Sequence, residues 1–515
     1  MTIVNSEAPG VYVNVIAAPP SPNGNAPTGT WFVTGQPAQG PTGLAVPVTS
    51  MTDYANFLGA RTSQASTIYD SLDEFFHDGG VLAYVSRIVG PSAVPATVTL
   101  SDTGSPSPAA TLTITANGAG TWANYSNPSS GPIGVQVVVA AGTVSGSYTI
   151  AIVNNGTTVA KSPNLFVPQD AITWASSLAP WQVLVTITNN GSATAPPNNN
   201  PATGTFPLSG GVDDFAGVSE TQWTNALSAF TASFGPGQVS APGHTTAPGY
   251  TNLNAHAIAF NRVPLLDVAD NSSAGPLLSQ SSTFQGSAQN PSYGAFFAPW
   301  VQIPGIFPTN PAANSPIPLR TVPPSALAAA LMARNDQTND ANSPAAGPNG
   351  QSTYAVGVTH QYVASDLANL NGAGINVIRP IQNTVTLYGY RSTSTDPNWV
   401  YLNNVRFRMQ VVNDFQIIGE EFIFEEIDGQ GHLFSAFNGA LAGKCQSYWT
   451  NGSLYGTTPA QAFQINTGPQ VNTPNTIQAG QLNAECLLHM SAFGEFVTVN
   501  VTKYLLTNAF PGQTQ

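Results

Sequence analysis

The sequence predicts a multidomain protein of the α+β or α/β class, with a β-sandwich inserted into an α/β domain. Three observations lead to this prediction. Helical and strand-like patterns alternate over residues 29–91 and resume near position 206. Between these regions the helical periodicity vanishes, and short β-like runs replace it. Strand-like segments also stand at both ends of the chain, beside turn-rich residues. A length of 515 residues suits about three or four domains.

The α/β pattern is clearest between residues 29 and 91. A short strand is predicted over 31–35, and a helix is expected to begin at Thr52 or Asp53. A second helix has apolar side chains at helical spacing before an Asp-Gly-Gly stop at 78–80, namely Ile68, Tyr69, Leu72, Phe75 and Phe76. Residues 81–85 then have the continuous apolar character of a buried strand.

After position 206 the same pattern returns. Ser219 and Gln222 have the spacing of a capping box, which predicts a helix that ends near Gly235. Strands are predicted at 257–260 and 264–266, and an Ala-rich helix is predicted over 325–334. The last part of the chain has predicted strands at 375–378 and 384–389, followed by a helix with an apolar stripe of Phe434, Phe437, Leu441, Cys445 and Tyr448.

The middle segment, residues 92–205, reads as a small β-sandwich. Its β-like runs are separated by turns and lie at 98–100, 112–114, 135–139, 148–150 and 184–187. The Asn- and Pro-rich stretch 189–203 is expected to be a solvated linker. Because α/β patterns flank this module on both sides, an insertion into a loop of the parent domain is the simplest interpretation.

Both ends of the chain are predicted to be extended arms. Near the N-terminus, Val11, Val13 and Val15 alternate with Tyr12 and Asn14, which is a strand pattern bounded by prolines. Near the C-terminus the alternating run comprises Phe496, Val497, Thr498, Val499, Asn500 and Val501. An isolated strand must pair with a sheet to be stable. That sheet can belong to the same chain or to a neighbouring one.

These patterns predict four regions. They are an N-terminal arm at 1–20, an α/β domain made of 21–91 and 206–370, an inserted β-sandwich at 92–205, and a C-terminal domain with its arm at 371–515.

The composition excludes several classes of function. The net charge is −13 with only 12 basic residues, which argues against binding to nucleic acid or to an anionic membrane. No apolar run reaches the roughly 18 residues of a membrane span, and the first residues do not resemble a signal peptide, so synthesis in the cytoplasm is expected. Charged residues make up 7% of the chain. Such a surface suits self-association, since few charges need desolvation, or it reflects a general compositional habit.

Catalytic and metal-binding patterns are not found in the sequence. The two cysteines cannot form a disulfide framework or a four-ligand zinc site, and the six histidines have no metal-ligand spacing. The acidic cluster of Glu420, Glu421, Glu425, Glu426 and Asp428 is the one place for a carboxylate pair, although a solvated or inter-subunit surface is the better interpretation. We therefore expect no enzyme activity, no cofactor and no metal.

Ten short segments, in order along the chain, resemble motifs of the contractile tail sheath family of phages, R-type bacteriocins and related injection machines. They lie at 8–13, 72–89, 117–124, 208–213, 292–300, 323–336, 374–379, 389–399, 456–463 and 495–497. Two of them depart from the family pattern, because Ala123 replaces a glycine and Asn335 replaces a threonine.

The resemblance implies a structural subunit that forms six-membered rings stacked helically around a tail tube, with baseplate and terminator proteins as further partners. It implies assembly in the host cytoplasm and a final location in the virion. It also implies that both arms donate strands to neighbouring subunits, through Val11, Tyr12, Val13 and Val15 and through Phe496, Val497, Val499 and Val501.

Tube contact in the family is often made by a charged helix of the C-terminal domain. The matching helix at about 431–450 offers His432, Asn438 and Lys444 as tube-facing candidates, and its low charge argues against a strongly electrostatic contact. Two other functions remain open. One is a virion adhesin that binds receptor through the 92–205 module, and the other is a hydrolase that uses the acidic cluster.

Overall fold

A computed structural model describes residues 27–129, 131–270, 273–287, 294–306 and 317–499. The N-terminal arm residues Val11, Tyr12, Val13 and Val15, and Val501 at the other end, lie outside this range. The chain divides into two compact units, Met1–Asp428 and Gly429–Gln515.

The strands are, in chain order, β1 Trp31–Gly35, β2 Val46–Val48, β3 Ala83–Arg87, β4 Thr97–Ser101, β5 Ala110–Ala116, β6 Val135–Ala141, β7 Tyr148–Asn154, β8 Thr157–Lys161, β9 Val185–Asn189, β10 Gly204–Pro207, β11 Gly237–Ser240, β12 Arg262–Asp267, β13 Ala295–Ala298, β14 Val301–Ile303, β15 Arg320–Val322, β16 Gly357–Val358, β17 Ile375–Ile381, β18 Thr384–Leu387, β19 Phe463–Asn466 and β20 Glu485–Leu488.

The α-helices are α1 Met51–Leu58, α2 Ser66–His77, α3 Pro168–Ser176, α4 Pro180–Val183, α5 Glu220–Leu227, α6 Ala247–Ala259, α7 Ala274–Ser287, α8 Pro324–Thr338, α9 Ala364–Gly372, α10 Leu402–Glu420, α11 His432–Thr450, α12 Pro459–Ala462 and α13 Pro474–Gln478. Within the described ranges, none of them has the length and hydrophobicity needed to cross a bilayer.

An eight-stranded sheet organises the first unit, in the order β18-β17-β13-β12-β11-β1-β3-β2. The six inner strands are parallel, and the antiparallel strands β2 and β18 form the edges. The expected domain boundary at 371 falls inside this sheet, because β17 pairs with β13 across it. The division of the chain lies instead between Asp428 and Gly429.

The predicted strand at 31–35 is confirmed as β1, and its burial explains its composition. All five residues are buried between neighbours on both sides, as expected for a central parallel strand. Gly35 allows α2 to approach closely, since a Cβ at this position would lie 2.9 Å from Cβ of Ile68. The indole of Trp31 packs 4.9 Å from the ring of Phe75 and donates to Oγ of Ser240 at 2.9 Å.

The predicted strand at 257–260 is wrong, because residues 257–259 belong to α6 and Phe260 ends that helix. Thr246 caps the helix by accepting from the backbone N–H of Gly249 at 3.1 Å. Tyr250, Leu253 and Ala257 then place apolar side chains on one buried face at helical spacing. The four-residue apolar run belongs to this longer helical pattern, which a short window does not reveal.

The predicted β-rich segment folds into two antiparallel sheets, β4-β5-β9 and β10-β6-β7-β8. Buried side chains from both sheets and from α3 form one core. The segments by which the chain enters and leaves this β-rich module lie next to each other. Antiparallel bridges join Val94 to Val212 and Thr97 to Ser209. The stretch 189–203 is not a free linker, since the amide of Asn200 is buried and donates to the Phe166 carbonyl at 3.0 Å.

Hydrogen bonds from a buried arginine of the large sheet connect it to the β-rich module. Arg87, the last residue of β3, donates from Nη1 to the carbonyls of Gly40 at 3.1 Å and of Ala119 at 2.7 Å. Gly118 adopts φ +107°, and a Cβ there would lie 2.0 Å from the Gly40 carbonyl oxygen. The turn at 117–124 therefore packs against the loop that contains Gly40. Glycine is required at position 118, because a side chain there would collide with the Gly40 carbonyl.

Helix α2 carries a buried acidic cluster. Arg320 reaches Asp70 at 2.7 Å and Asp73 at 2.5 Å, and Arg334 lies 3.5 Å from Asp78. Glu74 is fully buried close to the carboxylates of Asp78 and Asp73. Burial, followed by the charges of Asp78 and Asp73, raises the pKa of Glu74 well above its ordinary value.

We expect Glu74→Gln to weaken the dependence of stability on pH. An acid with a raised folded pKa contributes stability that is complete below its unfolded pKa, near 4.5, and is lost as pH rises through the folded pKa. The wild type should therefore lose up to about 1.4 kcal/mol per pH unit in that window relative to the variant. Urea midpoints between pH 4 and 9 measure this, with exposed Glu420→Gln as the control. If the urea midpoints of the wild type and Glu74→Gln changed equally with pH, a raised pKa for Glu74 would be contradicted.

Candidate inter-subunit interface

Among the residues that the structure describes, the C-terminal unit forms one two-stranded sheet, made of β19 and β20. They are antiparallel, with Phe463 opposite Leu488 and Asn466 opposite Glu485. Four residues per strand is short, and a two-stranded sheet is only marginally stable without further strands or a packed helix.

Helix α11 supports this sheet. Leu441, Cys445 and Tyr448 form its buried face. The amide of Asn438 donates to the Ile465 carbonyl at 3.2 Å and to Oγ1 of Thr467 at 3.3 Å, which ties the helix to β19. The predicted apolar stripe is confirmed at three of its five positions, whereas Phe434 and Phe437 are only partly buried.

The three tube-facing candidates do not share one face of α11. His432, Asn438 and Lys444 are six residues apart, so at about 100° per residue they lie about 120° from one another. Asn438 faces β19, His432 is exposed with Nε2 3.0 Å from Oε1 of Gln430, and Lys444 is partly buried with Nζ 5.3 Å from the centre of the Tyr448 ring. A flat partner can therefore meet at most one of them directly.

The exposed face of α11 carries small and uncharged side chains instead. It is formed around His432 by Ser435, Ala436, Gly439, Gly443, Gln446, Ser447 and Thr450. A Cβ at Gly439 or Gly443 would meet no atom within 4 Å. The spacing of Ser435, Gly439, Gly443 and Ser447 by four residues is the sequence signal for this face, and it is independent of charge.

An open cavity of about 400 Å³ lies beside the end of β19. Phe434, Pro469 and Ile477 contribute apolar surface to it. Asn472 holds its wall in place, because its side chain donates to the carbonyls of Thr467 at 2.9 Å and Asn483 at 2.7 Å.

Residues 491–499 follow β20 without forming a helix or strand. Phe496, Val497 and Val499 are 76%, 85% and 76% exposed. The predicted C-terminal strand, 496–501, is not formed over its described residues, 496–499. Large exposed apolar side chains next to one another are typical of a contact surface.

The acidic cluster lies in a setting that does not suit acid catalysis. Glu420, Glu421, Glu425 and Glu426 are all exposed at the end of α10 and just beyond it. A glycosidase acid needs an environment that raises its pKa, usually burial. Among the described residues, no group of three or more metal-ligating side chains is present.

Comparison with solved structures decides the fold. The chain matches the sheath tail protein of Desulfitobacterium hafniense with a TM-score of 0.50 at 15% identity, over 89% of this chain and 93% of that one. It matches the sheath tail protein of Listeria innocua with a TM-score of 0.57 at 12% identity, over 86% and 89%. This chain has a tail sheath fold.

The helical sheath of the anti-feeding prophage, solved in its contracted state, shares the sheath fold with a TM-score of 0.52 at 15% identity, over 96% and 99% of the two chains. No protein-family model and no curated protein sequence matches the chain. The resemblance inferred from ten short motifs is thus confirmed at the level of the fold.

Proposed function

We propose that this chain is the structural subunit of a contractile tail sheath. It polymerises as stacked hexameric rings around a tail tube and contracts to drive the tube through a host envelope. The proposal is supported by the sheath fold extending over nearly the whole chain, including a match to a subunit solved within a contracted helical sheath. The adhesin alternative has no comparable support, since the matches are not confined to the sandwich module.

In this proposal the β19–β20 sheet accepts strands from neighbouring subunits. The N-terminal arm of one neighbour and the C-terminal segment of another add to it through main-chain hydrogen bonds. The exposure of Phe496, Val497 and Val499 supports a donor role for the C-terminal segment. Such links persist while subunits move, because the strands remain paired and the chain beside them bends.

The tube contact is proposed to use the exposed face of α11. Its small side chains allow a partner backbone to approach closely, and its hydroxyl and amide groups supply hydrogen bonds. Because this face carries no lysine, arginine or carboxylate, the contact depends on shape rather than on ion pairs, and salt should weaken it little. Further partners are baseplate and terminator proteins, and the location is the virion after assembly in the host cytoplasm.

Electron microscopy of the purified protein tests the proposal. We expect concentrated protein to form hollow, ring-striated tubes without any added component, since the lattice contacts belong to the subunit itself. Rings of six subunits should be visible end-on. Protein that stays monomeric at every concentration and salt condition, or forms only solid aggregates, would contradict a sheath function.

A further inference from the structure

The first described residues, which follow the N-terminal arm predicted at 1–20, lie tightly against α8. Thr28 is 3% exposed, and its hydroxyl donates to Oδ2 of Asp336 at 2.6 Å. At the next residue, Gly29, a Cβ would lie 3.0 Å from Cα of Ala333. The point where the arm joins the folded unit is thus fixed by close packing and by a hydrogen bond to a charged group.

The same carboxylate is held from another direction by α10. Arg406 donates from Nη1 to Oδ1 of Asp336 at 3.0 Å and from Nη2 to Oδ2 at 2.6 Å. The side chains of Arg406 and Asp336 are 0% and 1% exposed. Tyr390 accepts a further bond from Nη1 at 3.3 Å. Helix α10 is the last helix before the chain continues into the C-terminal unit.

We propose that Asp336 is a mechanical clamp that joins the root of the N-terminal arm to the helix preceding the C-terminal unit. Both segments bond to one carboxylate, so tension applied at the arm passes through α8 to α10 by two short, charge-assisted contacts. A buried fork of this kind is well oriented and shielded from water, which makes it resist displacement. The inference rests on the proposed function, in which the arm and the C-terminal unit are the places where neighbours pull.

Thr28→Val tests the clamp because it removes only the arm-side hydrogen bond. Thr34→Val is the matched control, since the buried hydroxyl of Thr34 in β1 has no hydrogen-bond partner. The full chain is stretched at constant force between handles before residue 20 and at Gly429. A second attachment, at Gly156 and Gly429, leaves the arm unloaded. We expect the first rupture to be about tenfold faster for Thr28→Val in the first geometry only.

Thr28→Ser should restore the wild-type rupture rate, because it retains the hydroxyl. An unchanged rate for Thr28→Val under arm loading would overturn the clamp, and so would equal acceleration in both geometries, which indicates general loss of stability. These outcomes are independent of tube formation. Failure to form tubes would remove the sheath function while leaving the rupture result readable.

Discussion

Removal of residues 1–18 should leave a folded monomer that no longer forms long tubes. The deletion leaves in place every buried residue of the described range, which begins at residue 27. It does remove the strand pattern of Val11, Val13 and Val15 that we propose pairs with a neighbour. The wild-type urea midpoint together with a complete loss of ring-striated tubes in the electron microscope is the expected result. Normal tubes would contradict the arm linkage.

A pair of proline substitutions provides the matched control for this deletion. In an added strand, alternate N–H groups point toward the acceptor sheet, and proline removes one N–H. Val13→Pro and Asn14→Pro should therefore differ sharply, with one abolishing tubes and the other tolerated. Equal effects at the two positions would indicate that the arm acts without pairing as a strand.

Replacement of Arg406 by methionine should lower the free energy of unfolding by several kcal/mol. It leaves the Asp336 carboxylate buried at 1% exposure without its cation. Breaking a buried ion pair from one side typically costs about 3–5 kcal/mol. Urea unfolding of the full chain should show this loss as a lower urea midpoint. Hydrogen exchange of the backbone amides in β1 and α8 should be faster than in the wild type.

Two further variants separate the ion pair from the general effect of removing an arginine. Arg379→Met in β17 is the control, because this side chain is partly buried with its Cζ 4.4 Å from the centre of the Tyr388 ring. It should cost no more than about 1 kcal/mol. The double variant Arg406→Met with Asp336→Leu should recover much of the loss, because no unpaired charge remains buried. A double variant as unstable as Arg406→Met alone would argue against this cause.

Local patterns were sufficient for most of the elements. The apolar run at 31–35, the spacing of Ile68, Leu72 and Phe75, and the alternation in 135–139 each predicted the element that forms. Side chains that face the core recur every two residues in a strand and about every 3.6 residues in a helix. A short stretch of sequence is therefore enough to recognise either element. The prediction at 257–260 failed because the helical pattern that includes this run begins several residues earlier, at Tyr250 and Leu253.

The candidate interface was predictable only in part. Sequence periodicity located the helix α11. It could not assign helix faces to the candidate residues, and so His432, Asn438 and Lys444 lie on three sides of this helix. The open two-stranded sheet and the cavity beside it depend on how β19, α11 and the loop around Asn472 come together.

By itself, the sequence determined the alternation of helices and strands, the β-rich insertion and, through ten ordered motifs, the sheath fold. Each of these is encoded in neighbouring residues, in periodicity, caps and turns. Only the tertiary structure decided where the chain divides and that Thr28 and Arg406 meet at Asp336. Thr28 and Asp336 are 308 positions apart, and the energy of their contact exists only once folding has buried them together, so no local pattern records it.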